Sequence, residues 1–195
     1  MEGPKYPSMS RDAINCGNFI KPRDNMAFDA IRIYPDSVLM ERAGPVQNID
    51  GQVKEIVDRM VEAMYANQGI GLAAPQIGIP LQIFVAGPEN GWRGFINPEV
   101  LEGEGESLLE EGCLSLPNLV VPVKRKETVF IRAWDLDGKE MNLEVSGFAS
   151  RVYQHEIDHL HGKLIIDHIS LLKRNFWIKK MRKEQKCSQR KSEFS

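Results

Sequence analysis

The chain lacks any apolar run approaching the ~20 residues of a membrane span, so no helical membrane anchor is expected. It is poor in cysteine: Cys16, Cys113 and Cys187 are odd in number and far apart. That pattern excludes a disulfide framework and points to a reducing, cytoplasmic setting, where a cysteine is free to act as a metal thiolate. No segment repeats, which excludes a solenoid or propeller. No linker is long enough to divide the 195 residues, so one core-forming domain is the simplest reading. The opening stretch has no apolar h-region, and Glu2, Asp12 and Asp24 do not suit an acid-poor transit peptide. Gly69 and Gly71 follow a helical pattern, not a strand, and no third glycine completes a phosphate loop. No dinucleotide or nucleotide cofactor is therefore expected.

Charge is unevenly spread. Residues 173–195 hold nine Lys/Arg against Glu184 and Glu193, a net of +7, within a chain whose overall net charge is −2. An acidic body with a basic tail suggests a polyanionic partner for the tail. Residues 1–26 mix Pro, Gly, Asn and charges without periodicity and read as a loose N-terminal extension. Order is expected to begin with a short strand over Asp29–Tyr34. A helix over 49–67 follows from Val53, Ile56, Val57, Met60, Val61 and Met64, spaced three and four apart. The stretch Gly69–Gly78 does not read as regular structure and allows close backbone approach.

Short strands are expected at 81–86, 95–97, 108–109, 120–123, 128–134 and 140–145, with Asp137-Gly138 as a hairpin turn between the last two. A second helix opens at Ser146-Gly147 and closes at Gly162. A third runs from Ser170 to about Gln185, packing through Leu171, Leu172, Phe176, Trp177, Ile178 and Met181, with the final CSQRKSEFS disordered. Strands in series with few helices indicate an α+β fold. Mostly antiparallel sheets would pack around the second helix, with one helix in the N-terminal half and one at the C-terminus.

That second helix carries His155-Glu156-Ile157-Asp158-His159, an H-E-x-x-H pattern. Residues four apart share a helix face, so His155 and His159 can hold one metal ion, with Glu156 within reach to move a proton. The alternative is two histidines on a solvated face. Phe148, Val152, His155 and His159 form one stripe, and Tyr153, Ile157, Leu160 and Leu164 a second, plainly core-facing one. The first stripe suggests a substrate with an apolar side chain beside its reacting group. A catalytic metal needs a third protein ligand. Downstream, Ile165 stands where a metzincin would have histidine, Glu184 and Glu193 lie in the basic tail, and His161 and His168 read as surface residues. Upstream, Cys113 reads either as a buried inert thiol or as the third ligand.

Three stretches occur in order: Gly69-Ile70-Gly71-Leu72-Ala73-Ala74-Pro75-Gln76, then Glu111-Gly112-Cys113-Leu114-Ser115, then Gln154-His155-Glu156-Ile157-Asp158-His159-Leu160. Together they resemble the peptide deformylase family over about residues 29–170. The resemblance implies a catalytic domain over 27–172, followed by the basic helix end and tail at 173–195. It implies Cys113, His155 and His159 as metal ligands with water in the fourth position, and Glu156 as general acid/base. Gln76 and the backbone N–H of Leu114 become the oxyanion site, and Gly71 lies beside the substrate. One divalent ion per chain follows, Fe2+ first, with Zn2+, Ni2+ or Co2+ as occupants of purified protein. The family's reaction removes formate from N-formylmethionyl nascent peptides, by attack of the metal-bound water on the formyl carbon.

On that basis Phe148, Val152 and Ile70 are expected to line a methionine pocket. Gly71 and Gly112 would pair with an extended peptide. Arg151, one turn from His155, would reach the pocket rim or stand as a solvated helix charge, and Arg93 reads the same two ways. Asp158 reads as a helix charge or as a hydrogen-bond partner for a histidine or a loop. The tail is expected to contact the ribosome. Two competing readings are a metallopeptidase with the same helix and another third ligand, and a non-catalytic, metal-stabilised ribosome-binding protein.

Overall fold

A computed structural model describes residues 29–87 and 91–192. The loose extension expected over 1–26 lies outside the described residues. Among the described residues the fold is α+β, with antiparallel sheets and three α-helices. Helix α1 spans Gly51–Ala66; the carboxylate of Asp50 accepts from the N–H groups of Gln52 and Val53 and caps its start. Strands β1 (Gly71–Ala73), β2 (Ile83–Ala86), β3 (Arg93–Glu104), β6 (Thr128–Trp134) and β7 (Glu140–Ser146) form one sheet in the order β1-β2-β3-β6-β7. Strands β4 (Ser107–Cys113) and β5 (Leu116–Arg125) form a second, two-stranded sheet. Helix α2 spans Gly147–Leu160 and α3 spans Leu171–Ser192.

The apolar stripe of α1 (Val53, Val57, Met60, Val61 and Met64) packs on one face of the large sheet against Leu72, Ile83, Val85 and Ile96. The other face presents Phe84, Phe95, Val129 and Ile131 to Val152, Tyr153, Ile157 and Leu160 of α2. Because both faces of β2 are covered, all four of its residues are buried. A third cluster joins Leu119, Val121 and Val123 of β5 to Leu164, Ile165 and Ile166 beyond α2 and to Met181 of α3. Helix α2 is therefore central. Its apolar face meets the large sheet, and its polar face meets β4 and β5 through Arg151, His155 and Asp158.

Several local expectations are corrected. Asp29–Tyr34 forms no strand. Its N–H groups go to different elements, Arg32 to the Gln76 carbonyl (2.7 Å) and Tyr34 to the Ser115 carbonyl (3.0 Å), so no continuous ladder forms. The Gly71–Ala73 stretch is regular after all, pairing with Phe84–Ala86 as the edge strand of the large sheet, and Ala74–Ile77 makes a short 3-10 turn. Strand β3 continues through Pro98, which falls at a register shift between Ile96 and Glu99, where a missing N–H is tolerated. Ser146 precedes α2 without a side-chain cap. Leu164 lies past α2, in the third cluster instead of the second stripe. Helix α3 continues to Ser192, through a stretch expected to be disordered. Of its apolar residues, Trp177 and Met181 pack, whereas Leu171, Leu172 and Phe176 are exposed. No described helix is long and apolar enough to cross a membrane.

Candidate active site and metal centre

Three elements converge. The end of β4 brings Cys113, with Leu114 and Ser115 turning into β5. The middle of α2 brings His155, Glu156 and His159. The turn after β1 brings Gln76. Cys113 Sγ lies 3.3 Å from His159 Nε2, the two imidazole rings are 5.1 Å apart, and one donor atom from each of Cys113, His155 and His159 falls within 4.8 Å of the others. Sulfur with two imidazoles suits zinc or ferrous ion, and three protein donors leave a tetrahedral ion one open position. The set thus fits a divalent cation. Burial pushes the Cys113 thiol up, but His159 and His155 outweigh it and bring it from 9.0 down to about 5, so the protein groups alone favour the thiolate.

His155 Nδ1–H donates to Glu111 (3.0 Å), which leaves Nε2 for a metal. Burial lifts the Glu111 carboxyl, but His155 and Arg125 outweigh that and hold it at about 2. Glu156 is 4 % exposed. Its Oε2 has no hydrogen-bond partner among the described protein groups. Burial raises its carboxyl from 4.5 to about 7, against the pull of His155 and His159. Gly71 backs onto this carboxylate: a Cβ there would stand 2.5 Å from Glu156 Oε1. Only glycine permits that approach. The Gln76 amide is oriented by its oxygen, which accepts from the Ala73 N–H at 2.8 Å. Its Nε2 then faces Ser115 Oγ (3.3 Å) and the Cys113 sulfur (3.8 Å).

Residues 28–175 match the family described as polypeptide deformylase. The chain belongs to that family. It is 44% identical over 162 residues to a peptide deformylase of Thermodesulfovibrio yellowstonii, covering 80% of this chain and 98% of the relative. A peptide deformylase 1 of Clostridium perfringens is 47% identical, covering 73% of this chain and 99% of that one. The crystal structure of the Legionella pneumophila peptide deformylase superposes with a TM-score of 0.78 at 36% identity, covering 84% of this chain and 99% of that one. The Thermotoga maritima enzyme gives 0.73 at 43%, covering 74% and 99%. With this membership the chain is an enzyme of the hydrolase class.

The remaining expected residues divide in two. Phe148 and Ile70 are open to solvent, at 45% and 39% exposure, whereas Val152 is buried in the α2–sheet core. Gly112, on β4, is exposed, and a Cβ there would stand 3.9 Å from the Leu119 carbonyl oxygen. Arg93 is exposed at the start of β3. Arg151 corrects its expectation. Its guanidinium does not reach a rim but is buried against Glu111 (2.6 Å), the Val123 carbonyl (2.9 Å) and Ser107 (2.8 Å). The reason is electrostatic: each carboxylate oxygen can accept more than one donor, and Arg151 joins Arg125 on Oε1 of the buried Glu111. Asp158 bonds a histidine, but it is His168, together with Arg125. Sequence reasoning gave Glu111, Arg125 and Ser115 no role. Glu111 and Ser115 stood inside the quoted motif, and that adjacency was the one available signal.

Proposed function

We propose that this protein removes the formyl group from the N-terminal N-formylmethionine of newly made polypeptides, releasing formate. One observation carries the reading: a thiolate and two imidazoles suited to one divalent cation stand beside the buried carboxyl of Glu156, in a chain of the polypeptide deformylase family. Cys113, His155 and His159 would hold one divalent ion per chain, Fe2+ by preference, with Zn2+, Ni2+ or Co2+ as occupants after purification. When bound, the ion supplies Lewis acidity, polarising the formyl carbonyl and making water acidic enough to attack near neutral pH. Glu156 takes the proton of the attacking water and delivers it to the leaving amine nitrogen. Burial, which favours its protonated form, suits this carboxyl to hold the proton between the two transfers. Gln76 Nε2 and the backbone N–H of Leu114 meet the charge growing on the formyl oxygen, each worth about 3–4 kcal/mol in the transition state.

Gly71 on the edge strand β1 and Gly112 on β4 offer main-chain groups to an extended peptide. Main-chain pairing is indifferent to sequence, which suits an enzyme acting on many nascent chains. Ile70 and Phe148 supply exposed apolar surface for the methionine side chain. The catalytic unit is residues 27–172, working in the cytoplasm where chains are made. The basic segment 173–195 contacts the ribosome, a reading supported by its +7 net charge and by exposed Leu171, Leu172 and Phe176 at the base of α3.

Formate release from a formyl-Met peptide, measured with metal content, tests the reaction. Glu156→Ala is expected to keep its metal and lose release, and Cys113→Ser to lose the metal. Cleavage of unformylated peptides without formate would overturn the reading in favour of a metallopeptidase. Ribosome co-sedimentation that is salt-sensitive and unchanged by deleting 173–195 would remove the docking role.

A further inference from the structure

Glu111 is 7% exposed and both its oxygens are taken twice. Oε1 accepts from Arg125 Nε (3.0 Å) and Arg151 Nη1 (2.6 Å). Oε2 accepts from Arg125 Nη2 (3.0 Å) and His155 Nδ1 (3.0 Å). The Arg125 fork grips both oxygens and so fixes the plane of the carboxylate. On its far side, Arg125 Nη1 donates to Asp158 Oδ2, and the same oxygen accepts from His168 Nε2 at 2.8 Å. His168 ends the 3-10 turn Ile165–His168 just before α3. That turn is itself tied down by Asp167, which accepts from the Leu164 N–H (2.9 Å) and pairs with Arg174 of α3 (2.8 Å).

A continuous chain of charge-assisted contacts therefore runs His168–Asp158–Arg125–Glu111–His155. Two buried arginines face two carboxylates, so the chain is close to neutral and each link depends on the next. A single carboxylate on an imidazole fixes which nitrogen is free for a metal. Fixing the ring's angle takes more, because a carboxylate swings unless its own plane is held. The other imidazole has no such support, since His159 Nδ1 meets no hydrogen-bonding partner among the described protein groups.

We propose that Arg125, Asp158 and His168 are positioning residues for the metal site. They hold Glu111 in the plane that orients His155, so the grip on the divalent cation extends outward to the turn preceding α3. The inference rests on the reading of Cys113, His155 and His159 as the metal ligands.

The test uses Co2+-loaded full-length protein and follows the rate at which excess chelator removes the ion, together with the visible absorption of bound Co2+. Asp158→Asn is expected to release the ion about 10–100-fold faster, and His168→Ala about 10-fold faster, with altered Co2+ absorption. His168 is partly exposed, so its truncation leaves a folded variant should Asp158→Asn fail to fold. The double variant Glu111→Gln/Asp158→Asn is expected to release no faster than Glu111→Gln alone, because Asp158 acts through Glu111. Wild-type release rates and spectra in a folded Asp158→Asn or in His168→Ala would overturn the proposal. So would effects of Glu111→Gln and Asp158→Asn that simply multiply. A wild-type protein with no thiolate-to-Co2+ absorption, or with one that Cys113→Ser leaves unchanged, would instead overturn the ligand assignment, and this inference with it.

Discussion

Replacing Glu156 by glutamine is expected to stabilise the metal-stripped protein while abolishing its chemistry. The carboxyl is buried and pushed from 4.5 to about 7. Burial favours its neutral form, so folding costs more wherever the unfolded chain would ionise it. A tenfold change in proton affinity corresponds to about 1.4 kcal/mol, so the carboxylate costs the fold about 3 kcal/mol at pH 7 and above. The sign follows from the raised value. At pH 4.5 and below, the folded carboxyl is protonated and the unfolded one largely so, and the cost vanishes. The cost opens as pH climbs from 4.5 to 7 and levels off beyond. Glutamine carries no charge at any pH, but its amide enters a site where Oε2 already lacks a partner, which returns about 1–2 kcal/mol. The net expectation is a gain of about 1–2 kcal/mol near pH 8 that turns into a loss of about 1–2 kcal/mol near pH 4.5, where the charge cost has vanished and the amide's remains. Urea unfolding of chelator-treated wild type and Glu156→Gln across that range measures it. Parallel stability profiles for the two proteins would refute the raised carboxyl and the linkage built on it.

Three further outcomes follow from particular contacts. Gly71→Ala places a Cβ 2.5 Å from Glu156 Oε1, so formate release should fall about 100-fold with metal content unchanged; wild-type turnover would show that the carboxylate has room to move. Ser115→Ala removes the hydroxyl 3.3 Å from Gln76 Nε2 and should lower kcat about tenfold with little change in KM, whereas a pure KM effect would argue against Gln76 as a transition-state donor. Gly162→Ala sets a Cβ 2.7 Å from the Met40 carbonyl at a φ of 68°, and should cost about 2 kcal/mol or more in thermal or urea unfolding.

What the linear chain discloses here is local. The stripe of α1 and its Asp50 cap depend on neighbours within two turns, and so the helix was legible to within two residues at each end. Strands β6 and β7 and the Asp137-Gly138 turn alternate or punctuate over a few positions and were equally plain. The H-E-x-x-H spacing alone left two histidines on a solvated face as an alternative, and the grouping of Cys113 with His155 and His159 came from the family resemblance that three short motifs carry; the fold brings one donor atom of each within 4.8 Å of the others. What tertiary structure alone decided is pairing across distance. Glu111 lies 44 positions from His155 and 14 from Arg125, and nothing local says that these three meet. Arg151 shares a helix turn with the ligands, yet it turns inward because a carboxylate 40 positions away is buried there. The Gly71–Ala73 stretch becomes a strand only because Phe84–Ala86 lies alongside it. The sequence by itself thus determined which reactive side chains the chain carries and in what local order, while long-range packing decided how each is aimed, since a side chain's direction is set by what the rest of the fold brings within hydrogen-bonding reach.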